Sequence, residues 1–175
     1  MASKTLKIMF LGAPGAGKGT YASRIAPMLQ IPTISTGDLV RHEIKTGTAL
    51  GDKIKKRLAL DDAKPGFILD GFPRNVPQAE AFQKVATLDL VVNIDLPQWI
   101  LSDKISGRRC ANEACNRGKC IEWLYQTLTL EVYNQETAPL IDFYTDVGCL
   151  RTFEVKKGLA DLDKLVELIK TELDV

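Results

Sequence analysis

A run of glycines between a short apolar segment and an amphipathic segment constrains the fold of this chain more than any other feature. This glycine loop spans residues 12–20 and consists of Gly12, Ala13, Pro14, Gly15, Ala16, Gly17, Lys18, Gly19 and Thr20. Glycines let the backbone curl so that successive N–H groups point at one anion, and the amino end of the following helix adds positive charge. A lysine at this position can reach the outer phosphates of a nucleotide. The sequence therefore predicts a phosphate-binding loop between a strand and a helix.

Apolar runs rich in Val, Ile, Leu and Phe alternate along the chain with segments of helical periodicity. The apolar runs predict strands at residues 6–11, 33–34, 67–69, 90–94 and 150–155, each buried on both faces. The predicted helices are residues 18–29, 37–46, 50–60, 78–85, 99–108, 128–146 and 161–173. Because parallel strands need crossover connections, this alternation favours an α/β fold of the P-loop NTPase type: a doubly wound, five-stranded parallel sheet with helices on both faces. Ligands then bind at the carboxyl ends of the strands.

The composition argues against several other classes of protein. Lys and Arg number 23 against 22 acidic residues, so no overall field would attract nucleic acid or an anionic membrane. The apolar runs are too short to cross a bilayer, and the first runs directly into glycines, unlike a signal peptide. We therefore expect one domain over residues 1–175, a monomer, a cytoplasmic location, and no nucleic acid or membrane partner.

Polar clusters follow the second and third predicted strands. Thr36, Gly37 and Arg41 lie where a helix is expected to begin. This arrangement suits a phosphate or a base edge, and it suits an ordinary helix N-cap equally well. Asp70 ends a buried strand, where a phosphate-transferring enzyme places the acid that holds magnesium, usually through water. The alternative is that Asp70 is a turn residue before Gly71.

The segment after Asp70 carries further candidate ligands. Gly71 would let a nucleotide approach the backbone closely. Arg74 can clamp a phosphate through two parallel hydrogen bonds, and Gln78 follows about one helical turn later. Together with the glycine loop, these residues predict two anion sites at one edge of the sheet.

Motifs along nearly the whole chain occur in the order found in one enzyme family. They lie at residues 12–20, 35–41, 66–74, 78–80, 95–97, 107–109, 133–141 and 143–144. The chain thereby resembles the adenylate kinases, which are nucleoside monophosphate kinases. The Gly-Lys-Gly-Thr form of residues 17–20, with Gly19 between the lysine and the threonine, is also the form of that family.

The resemblance implies a reaction and a set of site residues. The reaction is reversible phosphoryl transfer from ATP to AMP, giving two ADP molecules. The residues implied to bind ATP are those of the glycine loop, residues 12–20, and Arg108. The residues implied to bind AMP are Thr36, Gly37, Arg41, Gly71, Arg74 and Gln78. The residues with implied catalytic roles are Lys18, Arg41, Arg74, Arg108 and Asp70, with Mg2+ held by the ATP phosphates and by water near Asp70. The alternatives are a nucleotide-binding relative with little or no turnover and a UMP/CMP kinase.

Two segments are shorter than the family pattern. Members of the family have an additional loop and helix between the positions of Lys56 and Arg57, which would close over AMP. In the lid region, an Arg-x-Asp-Asp stretch is missing, Thr129 replaces an arginine, and Lys104 replaces another. The resemblance therefore implies a shortened AMP-binding segment at about residues 36–60 and a lid-like excursion at about residues 108–128.

Three cysteines of the lid-like excursion raise the question of a zinc site. Some relatives hold zinc in the lid with Cys-x-x-Cys pairs. Cys110, Cys115 and Cys120 lack that pair spacing. We therefore expect free thiols in an irregular loop, and we do not expect zinc.

The resemblance makes Thr36 the residue most concerned with the choice of acceptor. Related uridylate and cytidylate kinases tend to carry alanine in its place. We expect Thr36→Ala to weaken the preference for AMP over CMP and UMP by about 3- to 10-fold, the worth of one hydrogen bond. The measurement is kcat/KM for the three acceptors. An equal preference before and after the change would remove Thr36 from this role.

Overall fold

A five-stranded sheet forms the centre of the chain in a computed structural model, and all its strand pairs are parallel. The structure describes residues 5–35, 56–97, 99–101 and 131–174. The strands are β1 (Leu6–Leu11), β2 (Thr33–Ser35), β3 (Gly66–Asp70), β4 (Leu90–Asp95) and β5 (Leu150–Glu154). Their order across the sheet is β2-β3-β1-β4-β5. The predicted fold class and all five predicted strands are confirmed, with strand ends that differ by no more than one residue.

Helices of eight or more residues in the described ranges are α1 (Lys18–Leu29), α2 (Val76–Gln83), α3 (Pro139–Val147) and α4 (Leu162–Leu173). A π-helical turn, Tyr133–Thr137, leads into α3, and short 3-10 turns occur at Asp61–Ala63 and Gly158–Asp161. The predicted helix at 128–146 is thus confirmed from residue 131 onward, with a π turn inside it. The predicted helix at 37–46, and most of those at 50–60 and 99–108, lie outside the described residues.

The sheet separates two apolar clusters. Along β1, Ile8 belongs to one cluster and Met9 to the other, as the alternation of side chains in a strand requires. The first cluster includes the fully buried Ile25 of α1 and Leu165 of α4, and the second includes Leu140 of α3. Burial of a side chain of this size contributes about 1.5–3 kcal/mol. Helices therefore pack on both faces of the sheet, as predicted.

The prediction that every strand is buried on both faces is wrong for β5. Arg151, Thr152 and Glu154 are exposed, and Phe153 is the buried residue of this strand. Within the described sheet β5 lies at the edge, where it pairs with β4 alone, and Arg151 Nε forms a 2.8 Å ion pair with Glu172 of α4. Charged side chains on an edge strand discourage pairing with another chain.

A buried carboxylate fixes the turn between β5 and α4. Asp161 is 2% exposed, and its Oδ2 accepts hydrogen bonds from the backbone N–H groups of Lys157 at 2.5 Å and Lys156 at 2.9 Å. Its Oδ1 lies 3.2 Å from Lys164 Nζ. These donors, the Lys157 backbone foremost, hold the pKa of Asp161 below its ordinary value, although burial acts in the opposite direction.

The lowered pKa of Asp161 makes part of the stability depend on pH. The ionised carboxylate stabilises the fold above the unfolded-state pKa of about 4, and this contribution is lost as the pH falls through the lower folded-state pKa. We expect Asp161→Asn to lower the urea midpoint at pH 7 and to have progressively less effect below about pH 4. The control is Asp163→Asn, which makes the same charge change at an exposed position of α4. An effect of Asp161→Asn that is independent of pH would contradict this assignment.

Candidate active site

The glycine loop connects the carboxyl end of β1 to the first turn of α1. β1 lies at the centre of the sheet, between β3 and β4. Phe10, near the end of β1, is in register with Asp70, the last residue of β3. Asp70 therefore lies beside the strand that leads into the loop, at the carboxyl edge of the sheet where ligands bind in this class of fold.

Two glycines of the loop hold positions that a larger residue would not tolerate. Gly12 has φ +139°, and a Cβ there would collide with the carbonyl oxygen of Ile94 in β4. Gly17 has φ +90° and directly precedes α1. Residues with a side chain rarely adopt these angles. Since Gly17 has no side chain that could cap the helix, the first N–H groups of α1 favour an anion as their partner.

Lys18 places a positive charge against the backbone of the same loop. Its Nζ donates hydrogen bonds to the carbonyl oxygens of Gly12 at 2.7 Å and Ala13 at 3.0 Å. The side chain therefore folds back from α1 toward the end of β1. An anion held by the N–H groups of the loop would lie next to this ammonium group.

Asp70 faces the first turn of α1. A Cβ added to Gly19 would lie 2.9 Å from Asp70 Oδ2, so the absence of a side chain at residue 19 leaves room for this carboxylate. Burial raises the pKa of Asp70, while the positive charges of Lys18 and Arg74 act in the opposite direction. The structure thus brings together three of the predicted site residues: Lys18, Asp70 and Arg74.

The oxygen donors beside α1 suit a magnesium ion. Mg2+ prefers oxygen ligands and usually keeps several waters, with one or two carboxylates and substrate phosphates completing its shell. The Asp70 carboxylate is half-buried next to α1, and the Thr20 hydroxyl is exposed on the first turn of that helix. A divalent cation would favour the ionised form of Asp70 and so oppose the effect of burial. The residues present therefore fit an ion that is bound mainly through phosphate and water.

A protein-only metal site is not formed by the described part of the chain. No group of three or more His, Cys, Asp or Glu side chains is placed there to hold an ion. Cys110, Cys115 and Cys120 lie outside the described residues, so the expectation about zinc stays a prediction.

Three hydrogen bonds hold Arg74 in the loop between β3 and α2. Its backbone N–H donates to Gln78 Oε1 at 2.9 Å, and its Nε donates to the carbonyl oxygen of Gly71 at 3.1 Å. Its own carbonyl oxygen accepts a 2.9 Å hydrogen bond from Thr137 Oγ1. The residue is exposed although its backbone is fixed on both sides. A guanidinium held in this way is suited to clamp a phosphate.

Gln78 has a structural role that the sequence-based assignment did not include. Asn75 is the N-cap of α2, and its Oδ1 accepts a 3.1 Å hydrogen bond from the N–H of Gln78. Gln78 in turn reaches back to the backbone N–H of Arg74. This arrangement resembles a capping box, for which the Asn-x-x-Gln spacing is a sequence signal. The amide oxygen of Gln78 is therefore engaged by the protein, and a base would meet its amide nitrogen.

The predicted site residues divide into those within the described ranges and those outside them. The predicted residues that the structure describes are the glycine loop at 12–20, Asp70, Gly71, Arg74 and Gln78. The predicted residues outside the described ranges are Thr36, Gly37, Arg41 and Arg108, and the two positions that replace arginines of the family pattern, Lys104 and Thr129, also lie outside them. As to membranes, no helix in the described ranges has the length and apolar character needed to cross one.

Comparison with known proteins identifies the family of this chain. A family model described as Adenylate kinase matches residues 10–62 and 54–149. The adenylate kinase of Thermodesulfovibrio yellowstonii is 38% identical over 212 aligned positions, which cover 94% of this chain and 97% of the relative. That of Desulfitobacterium hafniense is 37% identical over 206 positions, covering 90% and 94%. That of Caldanaerobacter subterraneus subsp. tengcongensis is 36% identical over 217 positions, covering 96% of each.

The matches extend through the glycine loop, Asp70 and Arg74, so they cover the residues that the structure brings together. The family model spans well over half of the chain, and the relatives share more than a third of their residues with it over nearly its whole length. The chain therefore belongs to the adenylate kinase family.

Proposed function

We propose that this chain is an adenylate kinase, which transfers a phosphoryl group reversibly from ATP to AMP and so gives two ADP molecules. The observation that carries this proposal is the convergence of Lys18, Asp70 and Arg74 at the carboxyl edge of the sheet, in a member of this family. Phosphoryl transfer needs little covalent help from the protein and depends on positioning and on cations around the developing charge. The described site contains both positioned side chains and cations.

On the ATP side, the glycine loop binds the phosphates. Its backbone N–H groups and the amino end of α1 contact the phosphate oxygens, and Lys18 neutralises charge on the outer phosphates. Magnesium, when bound, adds positive charge to the ATP phosphates. Asp70 would hold it through water, with the Thr20 hydroxyl as a further oxygen donor.

On the AMP side, Arg74 binds the phosphate of the acceptor. Its fixed backbone and exposed guanidinium would align the acceptor oxygen with the outer phosphate of ATP. In-line phosphoryl transfer requires this alignment. Thr36, Gly37 and Arg41 complete this site in the proposal, and Arg108 acts on the ATP side. The proposal contains no covalent intermediate on the protein.

The covers over the two substrates are proposed to be short. The alignment with the Thermodesulfovibrio yellowstonii enzyme has 212 positions, whereas this chain has 175 residues, so that relative has residues inside the matched region that this chain lacks. The family model matches in two stretches that overlap at residues 54–62, and this overlap includes the position between Lys56 and Arg57 at which the missing AMP-side loop is expected. Covers of this kind exclude water while the phosphoryl group moves between acceptors. The monomeric state and the cytoplasmic location stay predictions from the sequence.

The role of Lys18 can be tested by nucleotide binding. We expect Lys18→Ala to weaken ATP binding by about 10- to 100-fold, because a charge-assisted contact to phosphate is lost. The measurement is the rise in melting temperature with ATP concentration, with circular dichroism as a check of folding. Lys84→Ala, at an exposed position after α2, is the matched control. Unchanged ATP binding by a folded Lys18→Ala protein would contradict the assignment of the glycine loop.

The proposed activity and the short covers can be tested in one assay. We expect AMP-dependent formation of ADP that is slower than that of the Thermodesulfovibrio yellowstonii enzyme, together with a larger share of ATP hydrolysis in the absence of AMP. ADP formation and phosphate release are measured for both proteins and for Thr129→Arg, which should partly restore transfer. Preferential use of CMP or UMP would make the chain a pyrimidine nucleotide kinase, and ATP binding without any turnover would make it a nucleotide-binding relative. Transfer at the speed of the relative, without hydrolysis, would show that the short segments still work as covers.

A further inference from the structure

The π-helical turn Tyr133–Thr137 contacts the loop that carries Arg74. Thr137 Oγ1 donates a 2.9 Å hydrogen bond to the carbonyl oxygen of Arg74. Next to it, Asn75 Nδ2 donates a 3.3 Å hydrogen bond to Glu136 Oε2. These bonds join residues separated by 63 and 61 positions in the sequence. Two neighbouring side chains of the π turn thus hold two neighbouring residues of the loop.

We propose that Thr137 is a positioning residue for Arg74, and that through Arg74 it sets the affinity of the site for the phosphate of the acceptor nucleotide. The inference deepens the proposed function and rests on it, since Arg74 is taken to bind that phosphate. Thr137 itself acts on the loop and does not touch the substrate.

The backbone of Arg74 is hydrogen-bonded at both its N–H group and its carbonyl group. Its N–H is held by Gln78 and its carbonyl oxygen by Thr137, so the peptide groups on both sides of this residue are fixed. The direction in which the side chain leaves the backbone is then fixed as well. The contact between Nε and the carbonyl oxygen of Gly71 limits the guanidinium further. Loss of the Thr137 bond would free one of the two peptide groups and let the clamp move away from its working position.

The π turn that supplies Thr137 is continuous with a packed helix. The π turn leads directly into α3, whose Leu140 and Tyr144 are 0% and 1% exposed in the second apolar cluster. A site residue is held more accurately when its support belongs to a packed element. The core on this face of the sheet therefore anchors the loop through the π turn.

The π geometry decides which side chains face the loop. Each residue of an α-helix advances by about 100° around the axis, so the extra residue of a π turn changes the direction of the side chains around it. Here the side chains directed at the loop are Glu136 and Thr137. Turns of this type occur frequently at functional sites. A role in positioning Arg74 gives this turn a specific purpose.

The test compares two substitutions of Thr137 with a matched control. Thr137→Val keeps the shape of the side chain but removes the hydroxyl, while Thr137→Ser keeps the hydroxyl. The control is Thr145→Val: Thr145 is exposed on α3, and its Oγ1 donates a 2.6 Å hydrogen bond to Ile141 within the same helix, away from the Arg74 loop. AMP and ATP affinities are measured by calorimetry, and kcat and KM by ADP formation.

We expect Thr137→Val to weaken AMP binding by about 3- to 10-fold, the worth of one hydrogen bond, with ATP affinity within about twofold of the unmodified protein. Thr137→Ser should restore AMP affinity, and Thr145→Val should change neither affinity. If Thr137 had a merely structural role, Thr137→Val would lower the melting temperature and weaken the binding of both nucleotides equally, or it would leave both affinities unchanged. Either result would overturn the proposal.

A double-mutant cycle with Arg74→Ala tests whether Thr137 acts through Arg74. If it does, Thr137→Val should have no further effect on AMP binding once the guanidinium is gone. Independent, additive losses would overturn the proposal, and so would a failure of the unmodified protein to bind AMP. If AMP binding behaves as expected but ADP is not formed, the positioning role stands and the proposed phosphoryl transfer fails. The binding and turnover measurements therefore separate the two ideas.

Discussion

The site depends on two glycines of the glycine loop, Gly12 and Gly19, because in each case another group of the protein lies where the Cβ of any other residue would be. At Gly12 the backbone comes against the carbonyl oxygen of Ile94, and at Gly19 the carboxylate of Asp70 occupies the place where a methyl group would stand. The first contact seats the loop against β4, and the second brings the end of β3 against α1. The parallel registers of β1 with β3 and of β1 with β4 place both groups at the same edge of the sheet. The glycine loop and Asp70 are therefore neighbours because three strands end together.

This crowding also sets the electrostatics of the site. Half-burial makes the ionised form of Asp70 costly, so its pKa rises, while the ammonium of Lys18 and the guanidinium of Arg74 favour the ionised form. An acid, two cations and a helix amino end share a small region. Such an arrangement attracts negative phosphate oxygens, because positive charge exceeds the single carboxylate. The local charges are thus consistent with the proposed binding of nucleotide phosphates at this edge of the sheet.

The features that could be predicted from the sequence are those that depend on short stretches of neighbouring residues. The apolar runs located all five strands, and the spacing of residues 12–20 located the loop, because strand burial and loop curvature depend on neighbouring residues. The exposure of β5 was not predictable in this way, since it follows from an edge position in the sheet. The contact of Thr137 with Arg74 was also missed, because a single hydrogen bond across 63 residues leaves no periodic pattern. Thr36, Arg41 and Arg108 remain predictions from the family resemblance.

Shorter covers would change which parts of the molecule do the positioning. In an enzyme with long covers, closing segments complete the catalytic constellation and so supply part of the alignment of the two phosphates. When the covers are reduced, the alignment has to come from the floor, and here the floor is held by backbone register, by the capped start of α2 and by the π turn before α3. A rigid floor can orient substrates but cannot exclude water. If the proposed function holds, orientation of the substrates and protection from hydrolysis are separable in this chain, because the sheet edge can supply the first but not the second.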